Sequence, residues 1–257
     1  MIRNSNICVT IATQRSGTKA LGACFNSGAA LLTLGEIFHD DNKTITGFAR
    51  FAESRGDFAH KYVTGQVESI LDDYFVALGK MYFGIHFDFM YGNMDFLGPL
   101  WTDPAPRPAI FNYFISREFA VIHLKRNPRD SFISLKDAQR SSFYHFSTNG
   151  KSIDSASGSK LENDDPADVA AGYGSYKAGI IRQRSKVDRA FKGYSHYTSI
   201  NYEELIGNDG FLLPTTKKKI AKILGDGAEE QRIQVCPIHL GRSVRSSWGE
   251  SLAKLIP

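Results

Sequence analysis

The chain has 257 residues, enough for one domain with a substantial core. Hydrophobic residues make up 42% and charged residues 23%, as in an ordinary globular protein, and a net charge of +4 falls far short of the concentrated positive charge of a nucleic-acid binder. No window of about 18 apolar residues is present, so no membrane span is predicted.

Cys8, Cys24 and Cys236 show neither CxxC nor zinc spacing, and their odd number argues against a disulfide framework. The apolar run near the N-terminus is too short and mixed for a signal peptide, so a reduced, cytoplasmic setting is expected. The 18 Phe and 11 Tyr predict an aromatic core.

In chain order, "ICVTIA" (7–12) is rich in β-branched residues and reads as a buried strand. A glycine-containing turn at 15–17 follows, and then "TKALGACFNS" reads as a helix. A short apolar run at 31–34 is a second strand candidate, and "YFGIHF" (82–87) and "FAVIHL" (119–124) are two more. "WTDPAPRP" (101–108) reads as a surface connection. A helix is predicted from Pro128, because the N–H that proline lacks has no partner in a first helical turn. Residues 147–168 are Ser/Gly/Asp-rich and read as a long flexible loop, and 169–191 as a return to helix. "YTSINYEEL" supplies a late strand and "TTKKKIAKILG" a helix capped by Gly225. Strands alternating with helices predict an α/β fold with a central parallel sheet.

Two stretches carry chemistry. Arg15, Ser16, Gly17, Thr18 and Lys19 lie between a strand and a helix, where backbone N–H groups and the helix dipole favour an anion. The alternative is a Ser/Thr-capped helix with Arg15 in solvent. The Walker spacing GxxxxGK[ST] is absent. The second stretch is "HLKRNPRDSFIS" (123–134). Arg126 ends a strand on the side where open α/β sheets bind ligands, and Ser134 follows about two helical turns into the next helix. The alternative is a basic turn in which Asp130 pairs with Arg126 or Arg129.

Together, Arg15-Ser16-Gly17-Thr18 and Arg126-Asn127-Pro128-Arg129-Asp130 with Ser134 resemble the two nucleotide-binding motifs of the sulfotransferases that use 3′-phosphoadenosine 5′-phosphosulfate (PAPS). "GEIF" (35–38) makes the chain more similar to the bacterial and carbohydrate-directed branch, which includes trehalose and nodulation-factor sulfotransferases. The resemblance implies a single domain over 1–257 with a P-loop-like, three-layer α/β/α fold. It implies PAPS as donor without a metal, and a carbohydrate or glycolipid acceptor. The first motif would hold the 5′-phosphosulfate, and Arg126 with Ser134 the 3′-phosphate. By the same resemblance Tyr202 contacts the adenine, and Arg242 and Arg245 belong to a segment closing over the 3′-phosphate. Residues 139–190 fall outside the resemblance and read as a helical and loop insertion on the acceptor side. A homodimer is left open.

Arg15 stands where the family has a lysine, and a group that stays charged acts on a leaving group by electrostatics. Lys19 is the nearer group for proton assistance. Glu36 is the expected general base, with Ile37 and Phe38 as an apolar wall that raises its pKa. His39 is the rival base, and a surface glutamate is the plain alternative. His86 and Asp88, two apart on a strand, share one face and either line the acceptor pocket or serve the core. His123 reads as structural. Two other functions remain in play: a nucleotide or nucleoside kinase with a degenerate phosphate loop, and a non-catalytic nucleotide-binding domain.

Overall fold

The computed structural model describes residues 6–27, 31–39, 42, 44–56, 67–90, 108–141, 165–207, 212–224 and 247–257. The elements in chain order are β1 (Ile7–Ala12), α1 (Thr18–Ser27), β2 (Leu32–Thr33), α2 (Phe48–Glu53), α3 (Val67–Met81), β3 (Ile85–Met90), α4 (Ala109–Ser116) and β4 (Ala120–Lys125). They continue with α5 (Pro128–Ser141), α6 (Pro166–Ala171), α7 (Tyr173–Ala190), β5 (Tyr197–Asn201), a 3₁₀ turn (Tyr202–Glu204), α8 (Pro214–Leu224) and α9 (Ser247–Leu255). No described helix is long and apolar enough to cross a membrane.

The strands form one parallel sheet of five in the order β2-β3-β1-β4-β5. A parallel sheet covered on both faces needs strands that are apolar throughout. All six residues of β1 and of β3 are accordingly buried. Side chains alternate between the two faces. Ile7, Val9 and Ile11 of β1 join Ile85, Phe87 and Phe89 of β3 under α2, α3, α4 and α7. Cys8 and Ala12 join Met90, Ile122, Leu124 and Ile200 under α1 and α8. The expected α/β architecture with a central parallel sheet is thus present, with helices on both faces.

The first face is built from aromatic rings. Phe114 packs with Phe87, Phe89, Phe111, Tyr113 and Phe119 at centroid separations of 5.5–6.5 Å. Most of these pairs are edge-on or tilted, the arrangement that ring quadrupoles favour. Val187 and Ala190 of α7 belong to this same core, although the sequence assigns them to the acceptor-side insertion. A third cluster joins Phe132 and Ile133 of α5, Val169 of α6, Tyr173 of α7, and Leu252, Ala253 and Ile256 at the C-terminus. Arg129 ties that last helix down by donating to the carbonyls of Ala253 (2.6 Å) and Ile256 (3.0 Å). Carbonyls at a helix C-terminus lack intrahelical donors, and the guanidinium supplies them.

Two sequence expectations are corrected. The strand expected at 82–87 runs from Ile85 to Met90. Tyr82–Gly84 form the turn out of α3, and Phe83 is 87% exposed there. The end of the expected 147–168 loop is helical: Asp165 caps α6 by accepting from the Ala167 N–H at 2.8 Å, with Pro166 opening the helix. Residues 147–164, Gly225, and most of the 101–108 connection lie outside the described residues.

Truncating a ring at the centre of this core leaves a cavity and removes its contacts, a loss of about 3–5 kcal/mol for Phe→Ala. Phe114→Ala is therefore expected to lower the urea midpoint by that stability with an unchanged denaturant slope. A loss under about 1 kcal/mol would show that the aromatic cluster does not hold the sheet to its helices.

Candidate nucleotide and carboxylate site

The strand order creates a switch point. The connection leaving β1 runs through α1 to β2, on one side of the sheet. The connection leaving β4 leads to β5, on the other. Because β1 and β4 are neighbours, their outgoing turns diverge and open a crevice at the C-terminal edge, where ligands bind in such sheets. The turn after β1 carries Arg15–Gly17, and the turn after β4 carries Arg126 and Asn127.

The first turn is held in an unusual backbone shape. Arg15 has φ 63° and Gly17 φ 93°, so left-handed residues alternate with ordinary ones. Such alternation can direct successive N–H groups into a concavity suited to an anion, and a non-glycine residue held there is strained. Ser16 is fully buried and its hydroxyl pairs with that of Thr13 at 2.7 Å, a brace inside the turn. Thr18 is also buried and opens α1, while Lys19 in the same first turn is exposed.

The two turns meet. Arg126 Nη1 donates to the Arg15 carbonyl at 2.9 Å, and Arg15 Nε donates to Ser134 Oγ at 3.1 Å. Arg184 of α7 donates in turn to the Arg126 carbonyl. Asn127 starts α5: its side-chain oxygen accepts from the Arg129 N–H at 2.9 Å, and its own N–H donates to Glu203 at 2.9 Å. Tyr202, just past β5, lays its ring 4.7 Å from the Arg126 guanidinium carbon, a cation–π contact. The same ring rests on Gly17. A Cβ at that position would lie 2.2 Å from Tyr202 Cδ2 and 2.3 Å from Cε2, so only glycine fits. Arg15, Gly17, Arg126, Ser134 and Tyr202 are thereby gathered into one cluster from three parts of the chain.

Glu36 occupies the other end of the same edge. β2 continues beyond Thr33 as a backbone ladder: the Leu34 N–H donates to the His86 carbonyl (2.8 Å), and the Asp88 N–H to the Gly35 carbonyl (2.9 Å). This sets the Gly35 backbone, one residue before Glu36, alongside Asp88. Burial raises the Glu36 carboxyl above its ordinary value, while the charges of His39 and Lys19 pull it back. His39 and Glu36 share a tight turn, with the His39 N–H donating to the Glu36 carbonyl at 3.1 Å.

Asp88 is more deeply placed, at 4% exposure. Burial first, and the charge of Glu36 second, push its carboxyl up to about 7 against the pull of Lys19. Its Oδ1 has no hydrogen-bond partner. His86 Nε2 lies 3.8 Å from that oxygen, too far for a hydrogen bond. The ring's own bonds explain why it gives nothing. Thr33 donates its only hydroxyl proton to the Gly22 carbonyl (3.0 Å), so the 3.1 Å contact with His86 Nδ1 requires Nδ1–H as donor. Burial holds the imidazole neutral, its pKa pushed down to about 3, so Nε2 bears no proton and accepts from Thr10 at 2.7 Å. His86 is a satisfied core residue, while Asp88 is a carboxyl group short of partners.

His123 also serves the fold. Asp188 of α7 binds its Nδ1 at 2.9 Å, the Tyr197 hydroxyl at 2.7 Å and Lys125 Nζ at 2.9 Å, fastening the helix across β4 and β5. Arg242 and Arg245 lie outside the described residues. A cleft of about 430 Å³ between α5, α6 and α7 is lined by Phe132, Leu135, Lys136, Asp168, Val169, Gly172 and Tyr176, apart from the site residues above. It touches the site's margin through Tyr176, whose phenol feels the charges of Arg184 and Arg126. Arg184 has no signal in the sequence, because it acts on a residue 58 positions away.

Gly17→Ala and Gly35→Ala compare space with strain. Both glycines have positive φ, but a Cβ at Gly35 meets nothing within 4 Å. Each alanine costs about 1–2 kcal/mol for the left-handed backbone. Gly17→Ala is expected to cost more, and to weaken anion binding, because Tyr202 must move. Equal costs by urea denaturation would show that the Tyr202 contact does not constrain the turn.

No protein-family model matches the chain, and no curated protein and no solved structure matches it.

Proposed function

We propose that this chain is a sulfotransferase that moves the sulfuryl group of PAPS to a hydroxyl of a carbohydrate or glycolipid acceptor. The observation that carries this reading is the meeting of two cationic turns, through the bond from Arg126 to the Arg15 carbonyl, at the switch point of the sheet. One turn with a helix N-terminus suits one phosphate group. Two adjoining turns, each with its own arginine, suit a nucleotide with phosphates at both ends of its ribose. The P-loop-like character of the fold belongs to the same proposal.

In this reading the 5′-phosphosulfate lies on the amides of the turn Arg15–Thr18, and Arg126 with Ser134 takes the 3′-phosphate. Tyr202 offers its ring to the adenine. The acceptor oxygen attacks sulfur in line, its O–S bond forming as the bond from sulfur to the bridging phosphate oxygen breaks. The acceptor's proton passes to Glu36, whose raised pKa makes it a competent base. Negative charge that accumulates on the departing phosphate is met by Arg15 and Lys19, with the amides of the turn already oriented. Arginine does this without giving up a proton. His39 is the alternative base in the same turn. Catalysis of this kind is positioning and electrostatics, as in phosphoryl transfer.

Glu36→Gln separates binding from chemistry. The variant is expected to bind 3′,5′-bisphosphoadenosine like the wild type and to lose at least about 100-fold in transfer from labelled PAPS to a glycan panel. Undiminished transfer would remove Glu36 as the base and favour His39. Binding without transfer in the wild type itself would favour a non-catalytic nucleotide-binding domain.

A further inference from the structure

We propose that Asp88 is a positioning residue for Glu36: the two form a carboxyl–carboxylate pair carrying a single negative charge at the sheet edge, in which Asp88 keeps its proton and Glu36 remains free to accept one. This rests on the sulfuryl-transfer reading only for the use to which the pair is put.

The geometry comes from the ladder that extends β2. The Asp88 N–H holds the carbonyl of Gly35, the residue before Glu36, so the two acids lie on neighbouring chain segments, near enough for the Glu36 charge to act on Asp88. Asp88 is buried, and among the described residues its Oδ1 has neither a hydrogen-bond donor nor a cation in contact. An ionised carboxylate so placed would be desolvated with one oxygen unpaired, a state that folded proteins avoid by keeping the proton. The groups facing it act as follows. His86 is neutral and offers only a lone pair already used by Thr10. Cys8, on the adjacent strand, is a buried thiol that Asp88's charge would push further from ionisation. Glu36 opposes a second negative charge, and Lys19 favours it. His39 and Lys19 both favour charge on Glu36. The first ionisation therefore belongs to Glu36 and the second to Asp88.

The consequence for transfer is electrostatic. The incoming sulfuryl group is anionic, and its approach is opposed less by one carboxylate than by two. Ionisation of Asp88 places a second negative charge beside the base. Transfer is then expected to need Glu36 ionised and Asp88 protonated, and to decline as pH rises past about 7.

Two measurements test the pair. The first is a carboxyl ¹³C NMR titration of Asp/Glu-labelled full-length protein. A resonance with a midpoint near pH 7, absent from Asp88→Asn, identifies Asp88. In Glu36→Gln its midpoint should fall by about one pH unit, because the like charge that opposed ionisation is gone. A midpoint in the ordinary aspartate range in the wild type, or one that does not move in Glu36→Gln, overturns the proposal. The second is the pH profile of sulfate transfer. The decline above pH 7 should vanish in Asp88→Asn, which mimics the protonated acid. A variant that melts like the wild type and shows the same decline also overturns it. A coupled NMR titration in a protein that sulfates nothing upholds the pair and sinks the sulfotransferase reading, so the two failures are distinguishable.

Discussion

The hydrogen bond from Arg126 to the Arg15 carbonyl is the link on which the arrangement depends. It joins two turns 111 residues apart in sequence, and it exists because β1 and β4 are neighbours in a sheet whose connections diverge between them. The bond commits one edge of the guanidinium, and the Tyr202 ring lies against the same group. Gly17 has to lack a side chain for that ring to come so close. A backbone carbonyl, a cation, an aromatic ring and a glycine thus fix one another, and Arg184 holds the second turn from the helical layer behind.

The edge brings arginines and carboxyl groups into one row. In sheet order, β2 leads to Glu36, β3 carries Asp88, β1 leads to the Arg15 turn, β4 to Arg126 and β5 to Tyr202. Arg15 and Arg126 occupy the β1–β4 side and Glu36 and Asp88 the β2–β3 side, with Lys19 acting electrostatically on Glu36 and Asp88. Such a polarity suits a reaction in which a proton leaves one reactant at the acidic side while negative charge builds on the other at the basic side. The aromatic layer beneath has no polar role in this; its rings set the rigid floor from which the loops project.

Much of this was legible in the sequence, for physical reasons. Buried parallel strands must be apolar throughout, so "ICVTIA" and "FAVIHL" stand out, and Gly17 and Pro128 mark the turns that follow. The stretches Arg15–Thr18 and Arg126–Ser134 stand out by residue type and by their place after strands, and the two turns do converge. What escaped needed information from elsewhere in the chain. "AIFNYFIS" is an eight-residue apolar run that periodicity alone cannot assign, and it folds as α4. Phe83 belongs by composition to a strand, but its neighbours Tyr82 and Gly84 are spent on the turn out of α3. Asp165 and Pro166 are a helix start, hidden by the polar composition around them. Asp88 and His86 looked alike in sequence, and only the hydrogen bonds of the ring separate a satisfied histidine from an acid with an unpartnered oxygen.

The central claim is that the two turns grip two phosphates of one nucleotide. Calorimetric titration with 3′,5′-bisphosphoadenosine and with 5′-AMP, in the wild type and in Arg126→Ala, tests it most directly. A second phosphate held by charge-assisted bonds adds about 1.5–3 kcal/mol per bond, so the wild type should prefer the bisphosphate by at least about tenfold. The preference should disappear in Arg126→Ala, with 5′-AMP binding weakened less than bisphosphate binding, since the Arg15 turn also loses its bond to that guanidinium. Equal affinity for the two ligands in the wild type, or a preference for ATP–Mg over both, would contradict the account.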